Sequence, residues 1–313
     1  MGPAPAFPVS DGAMDPLITR PVRTGLAVAD DGLHIFWRAV GSGPAMVCSN
    51  GVGVSTFFWR YTEEHFSDRF TVITWDYRGH GRSDPLPDPT SGDVAVPRHA
   101  ADLIAVLDAA GVKEALFCGH SMGCQVGLEA WRRHSERIQG YVLILGTAGR
   151  ALETFADNPR SPIVFRLAGQ LVAALGERTH RIVRPILNSP IAWAFTRRAK
   201  LVDPMYASQA DMSPYLEHLA VLDMRMFIRT VLQMQEHDAW DLLATIHVPV
   251  LIVGAERDAF TPIRLSRQMA SSIPGAELLV LADASHAAIV EQPETINHRV
   301  ERFLRERLPS LGA

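Results

Sequence analysis

Lysine is almost absent from this chain of 313 residues: Lys113 and Lys200 are the only two. Arginine therefore carries the positive charge, and the formal net charge is −4. There is no long basic run, so the electrostatic footprint of a nucleic-acid binder is missing. Cysteine is scarce too. Cys48, Cys118 and Cys124 form an odd, small set with no paired spacing, which reads as free buried thiols rather than a disulfide framework. No His-Glu-x-x-His string or Cys/His cluster is present, so neither a metal nor another cofactor is expected. No uncharged apolar run reaches membrane-spanning length. The first 21 residues contain Pro3, Pro5, Pro8, Pro16 and Pro21 but no basic stretch leading into an apolar one, so they do not read as a signal peptide. Ala6 stands where a myristoylation site after Gly2 wants Ser or Thr. The expectation is a cytoplasmic protein with a flexible or loosely docked arm over residues 1–21.

What the chain does have is a 47% hydrophobic content, enough for a sizeable core. Large α/β folds reach this length as one domain. The most informative stretch is Gly119-His-Ser-Met-Gly123. The apolar run 115–118 before it reads as a buried strand, and 124–131 after it reads as a helix. A Gly-x-Ser-x-Gly turn between strand and helix is tight. It lifts the Ser121 hydroxyl above the sheet and aims the positive end of the next helix at it. Without that context, five residues could be an ordinary glycine-rich turn.

Strand-like and helix-like runs alternate along most of the chain. Residues 22–28 and 33–40 flank Asp30-Asp31-Gly32, a hairpin signal. Strands are predicted at 45–48, 70–75, 115–118, 141–146, 248–255 and 276–281. Helices fall at 57–66, 96–110, 124–131, 263–272 and 293–308. This is an α/β chain with a mostly parallel eight-stranded sheet and helices on both faces. The rhythm breaks over 148–239, where only helix-like pieces occur, at 163–175, 182–186, 191–199, 215–221 and 224–234. That stretch reads as a helical lid inserted into a core formed by 22–147 and 240–313. Several methionines lie in it, and Met205, Met224 and Met226 are candidate substrate contacts because methionine adapts to varied shapes. For any single methionine, plain packing of lid on body is the stronger expectation.

Ser121, Asp258 and His286 each follow a different predicted strand, just past its carboxyl end. In a parallel sheet those ends share one edge, where ligands bind. Serine is a weak nucleophile and needs a base such as histidine, and the base needs a carboxylate to fix its tautomer. Glu256 competes with Asp258 for that last role, but Asp258 lies where the chain has left the strand. Asp283 reads as a support of the histidine loop, and His80 and His120 have weaker claims than His286. Cys124 reads as a packing residue in the first helical turn. An oxyanion needs two donors. The Met122 amide at the helix start is one, and the Val52 amide between Gly51 and Gly53 is the other candidate. Asn50 and Gly51 in the same loop are candidate substrate contacts.

Asn50-Gly-Val-Gly53, Asp76-Tyr-Arg-Gly-His-Gly-Arg-Ser83, Gly119-His-Ser-Met-Gly123, Gly254-Ala-Glu-Arg-Asp258 and Ala284-Ser-His286 together resemble the α/β-hydrolase-fold serine hydrolases. The resemblance spans residues 22–308. Many of those relatives carry His-Gly in the first motif, where this chain has Asn50. Ser49-Asn50, Phe117-Cys-Gly119 and the Ala284-Ser-His286 to Glu291-Gln-Pro293 segment also resemble oxoadipate enol-lactone hydrolases. Epoxide hydrolases and haloalkane dehalogenases share the pattern but use aspartate where this chain has Ser121. The implied function is hydrolysis of small to medium hydrophobic carboxylic esters through an acyl-enzyme on Ser121, with acyl transfer to alcohols as a side path. Two alternatives stand beside it: an enol-lactone or carbon–carbon bond hydrolase with the same triad, and a ligand receptor built on this fold. The expected partner is a small-molecule ester, with no nucleic acid and no integral membrane segment.

Overall fold

The computed structural model describes residues 20–187, 189, 193–194 and 209–312. Residues 1–19 of the arm, most of the helix expected at 191–199, and Met205 lie outside the described residues.

Eight strands form one sheet: β1 (Val22–Val28), β2 (His34–Val40), β3 (Ala45–Ser49), β4 (Thr71–Trp75), β5 (Ala115–His120), β6 (Ile138–Ile144), β7 (Val250–Ala255) and β8 (Glu277–Leu281). Their order across the sheet is β1-β2-β4-β3-β5-β6-β7-β8. The β1–β2 hairpin and the β2–β4 pair are antiparallel, and every later pair is parallel. The central strands are apolar on both faces because helices cover both, as parallel sheets require. Alternate residues then divide between two cores. Val47, Phe117 and Leu143 join one cluster, while Met46, Cys48, Leu116 and Cys118 join the other.

Helices α1 (Arg60–Phe66), α2 (Val96–Ala110) and α3 (Met122–His134) precede β6. The run expected as one helix over 57–66 begins instead as a tight 3-10 turn, Thr56–Trp59. Helix α2 has its expected bounds, opened by Pro97 in its first turn and closed by Gly111 at φ 75°.

Between β6 and β7 come α4 (Ser161–Leu175), α5 (Arg178–Leu187), α6 (Gln209–Val221) and α7 (Met224–Glu236). Helix α6 begins six residues before the stretch read as helical, and Pro214 lies inside it. Proline there mimics a start signal, since it fits a first turn better than an interior. The two ends of this connection meet: Ala239 N donates to Ala148 O at 2.8 Å, and Arg150 N to His237 O at 3.2 Å. Inside, α4 packs on α7, and α5 on α6. Helices α8 (Ile263–Ser272) and α9 (Pro293–Arg307) complete the layers. Among the described residues, no helix is long and apolar enough to cross a membrane.

Candidate active site

Strand β5 runs to His120 and helix α3 starts at Met122, leaving Ser121 alone at the bend with φ 54° and ψ −119°. Few side chains tolerate that conformation. The bend closes because Gly123 has no side chain; a Cβ there would lie 2.2 Å from Ser49 O. The turn therefore packs directly on the end of β3.

Past the end of β7, Asp258 receives the Phe260 amide at 2.7 Å and the Thr261 amide at 2.9 Å on Oδ1. Thr261 Oγ1 is 2.8 Å from Asp258 Oδ2. Past β8, His286 Nδ1 is 2.9 Å from Asp258 Oδ2, and His286 Nε2 is 2.9 Å from Ser121 Oγ. A carboxylate accepts, so Nδ1 carries the proton and Nε2 presents its lone pair to the serine hydroxyl. Burial pushes the Asp258 carboxyl up, but its electrostatic interaction with His286 and the hydrogen bonds from His286 and Thr261 outweigh it and hold its pKa below the ordinary value.

The histidine loop is fastened from two sides. Ser285 donates from its amide to Glu291 Oε2 at 2.8 Å and from its hydroxyl to Oε1 at 2.6 Å. The carbonyl of His286 accepts from His120 Nε2 at 3.0 Å. The His120 ring is buried, and that burial draws its pKa down to about 3, so it stays neutral. Phe260 stacks on the His286 ring at 4.6 Å. Neither Glu291 nor Phe260 stood out as a site residue in the sequence, because both supports depend on tertiary contact.

Other candidates resolve by position. Glu256 faces outward and pairs with Arg267. Asp283 pairs with Arg257, and its carbonyl accepts from Gln292, so it braces the histidine loop. Cys124 is fully buried, its thiol is 3.2 Å from Gly119 O, and burial pushes its pKa to about 12. A thiol so hard to ionise is a packing group.

The loop after β3 passes beside Ser121: a Cβ on Gly51 would lie 3.2 Å from Ser121 Cβ. Among the described residues, neither the Val52 amide nor the Met122 amide has a hydrogen-bond partner. The next amide, Gly53 N, donates to His80 Nε2 at 3.3 Å, while His80 Nδ1 is 3.1 Å from Arg78 O. His80 thus ties this loop to the one after β4. Arg78 anchors that second loop to α2 through two bonds to Asp102, at 2.8 and 2.6 Å. Sequence reasoning gave His80 no role, since the contact joins residues 27 apart.

Asn50 requires a correction. Its side chain does not reach a ligand: it is fully buried, donates to Trp75 O at 2.7 Å and accepts from Trp59 Nε1 at 2.9 Å. Tyr77 donates to its carbonyl at 2.6 Å. Asn50 is a fastener for the loop, with both ends of its amide occupied.

Ser121 and His286 open into a cavity with about 1000 Å3 of atom-free space, counted out to its open mouth. The wall includes Gly51, Val52, Phe58, Phe155, Phe165, Met212, Tyr215, Phe227, Met234 and Phe260. Gly51, a candidate substrate contact, is one of the residues of the wall. Met224 and Met226 are not: Met226 is buried against Leu86, Val94 and Leu222, with Met224 beside it. Helix α7 turns those two toward the body and presents Phe227, Val231 and Met234 to the cavity. Among the described residues of the wall there is no Arg, Lys, Asp or Glu. Among the described residues there is also no group of three His, Cys, Asp or Glu side chains placed to hold a metal ion.

The strand order, the bend at Ser121 and the meeting of Ser121, His286 and Asp258 at one sheet edge describe a single kind of protein. The chain belongs to the alpha/beta hydrolase fold family, which it matches over residues 44–293. It is similar to the protein named "Putative carbamate hydrolase RutD" of Pseudomonas savastanoi pv. phaseolicola, with 26% identity over 261 residues, covering 83% of this chain and 93% of that one. It is also similar to 3-oxoadipate enol-lactonase 2 of Acinetobacter baylyi, with 28% identity over 264 residues, covering 84% and 89% of the two chains. Among solved structures, the esterase RhEst1 from Rhodococcus sp. ECU1013 shares the fold, with a TM-score of 0.73 at 24% identity, over 91% of this chain and 99% of that one.

Proposed function

We propose that this α/β hydrolase cleaves neutral, hydrophobic carboxylic esters through an acyl-enzyme on Ser121. The observation that carries the reading is the Ser121 Oγ to His286 Nε2 contact of 2.9 Å at the floor of an apolar cavity. His286 takes the serine proton as Oγ attacks the ester carbonyl, and Asp258 stabilises the imidazolium that forms. The carbonyl oxygen gains charge as it becomes tetrahedral, and the unpartnered amides of Val52 and Met122 receive it. His286 then protonates the leaving alcohol. Water, activated by the same histidine, releases the acid. An alcohol that reaches the acyl-enzyme first takes the acyl group instead. The 148–239 connection acts as the lid, supplying Phe165, Met212, Tyr215, Phe227 and Met234 to the wall. The three buried free cysteines suit a reducing cytoplasm.

The wall also bears on the alternatives. An oxoadipate enol-lactone keeps one free carboxylate, and among the described residues of the lining there is no arginine or lysine to offer it a counter-charge. The test is a panel of nitrophenyl esters of rising acyl length beside a dicarboxylate half-ester and an enol-lactone. Neutral esters are expected to turn over with an optimum at intermediate length, and Ser121→Ala should lose that activity. Faster turnover of the anionic substrates would replace the ester reading with the lactone one. Tight binding with no turnover of any substrate would favour a receptor.

A further inference from the structure

Among the described residues, six of the eleven exposed large hydrophobic side chains lie on α4 and α5. On α4, Ile163, Val164, Leu167 and Leu171 are all more than half exposed. At about 100° per residue they fall within roughly one 100° arc, so they form a stripe. On α5, Ile182 and Ile186 are one turn apart and half exposed. The opposite side of α4 is occupied, with Phe165 in the cavity wall and Gly169 against Leu232 of α7.

Charge distinguishes the same two helices. Arg160, Arg166, Arg178, Arg181 and Arg184 are all exposed, and Glu177 is the one acidic residue between 160 and 187. Among the described residues, none of these five has an ion-pair partner. Elsewhere arginine is commonly paired, as in Arg38–Glu63, Arg132–Asp241 and Arg299–Glu277. The chain as a whole is acidic, with a net charge of −4. Exposed cationic side chains without an ion-pair partner among the described residues thus share two helices with the exposed apolar ones.

We propose that this face docks on an anionic lipid surface, with the leucine and isoleucine stripe entering the headgroup boundary and the arginines meeting lipid phosphates. Exposed apolar side chains rimmed by unpaired cations are the chemistry such a surface binds. A second copy of this chain fits less well. In a two-fold contact the same patch meets itself, and five unpaired arginines would face five more. The docked orientation sets the lid, whose inner side walls the cavity, against the phase in which hydrophobic esters partition. The docking goes beyond the hydrolase reading and stands without it, because it is read by binding alone.

The experiment is co-sedimentation of the full chain with large vesicles of phosphatidylcholine, with and without phosphatidylglycerol. Binding is expected only with the anionic lipid, and it should weaken as salt rises. Leu167→Gln with Leu171→Gln, and separately Arg181→Gln with Arg184→Gln, should each lower the partition coefficient at least about tenfold. Circular dichroism and the thermal midpoint check that both variants fold, and none of these side chains is in the cavity wall. Absence of vesicle binding, equal binding to neutral vesicles, or variants that bind like the parent would each overturn the proposal. So would a concentration-dependent dimer that the leucine variants abolish, since the face would then belong to a second copy.

Discussion

Ser121 holds its hydroxyl toward His286 only by keeping φ at 54° and ψ at −119°, a region that glycine tolerates and side chains resist. Reactivity and strain therefore reside in one residue, and one substitution separates them. Ser121→Gly should remove ester turnover, by about 10^4-fold or more. It should also raise stability by about 1 kcal/mol, the order of strain that such a backbone stores. A thermal midpoint that falls would mean the bend is not strained. His80 offers a second test at this scale. It accepts from Gly53 N and holds the loop that presents the Val52 amide. His80→Ala should lower kcat about tenfold with little change in KM, because a displaced amide weakens oxyanion stabilisation rather than substrate binding. An effect confined to KM would remove His80 from that role.

At the scale of elements, the connection between β6 and β7 sets what the cavity can hold. Phe227 on α7 stands between the loop at Gly53 and the cavity. Phe227→Ala should shift the acyl-length optimum toward longer chains, as read on the nitrophenyl ester panel. An unchanged optimum would place the length limit elsewhere in the wall. Within the histidine loop, Glu291 is one of the fasteners. Glu291→Gln turns a charge-assisted pair of bonds to Ser285 into a neutral one and should cost about 1–3 kcal/mol of stability.

The elements differ in how far the sequence reveals them. Strands and helices of the sheet layers were legible because burial on both faces leaves unbroken apolar runs, and because the bend at Ser121 has small residues at fixed spacing. The inserted helices were legible as helices, but their orientation was not. Met224 and Met226 have the same composition argument as Met212 and Met234, yet only the latter pair faces the cavity. A helix two or more of whose faces are apolar does not disclose which one meets ligand. Asn50 likewise lies in the motif that flanks the site, but only the fold reveals that Trp59 and Trp75 occupy its amide.

Taken whole, the molecule buries several histidines in neutral form. Burial draws the pKa of His80 down to about 4 and those of His120 and His218 to about 3. In the unfolded chain each would take up a proton near pH 6.5. Below that pH the unfolded state binds more protons than the fold does. The stability they contribute is thus complete above about pH 6.5 and is lost as pH falls toward about 4 and below. The thermal midpoint should decline across that window, and His218→Leu should flatten the decline. A midpoint independent of pH there would mean these rings are already protonated in the fold.

The central claim is that Ser121, made nucleophilic by His286, carries the acyl group. Fluorophosphonate labelling with intact mass and peptide mapping tests it most directly. One adduct is expected, on the peptide that contains Ser121, and labelling should slow at least a hundredfold in His286→Ala. An adduct on another residue, or labelling at the parent rate without His286, would contradict the account.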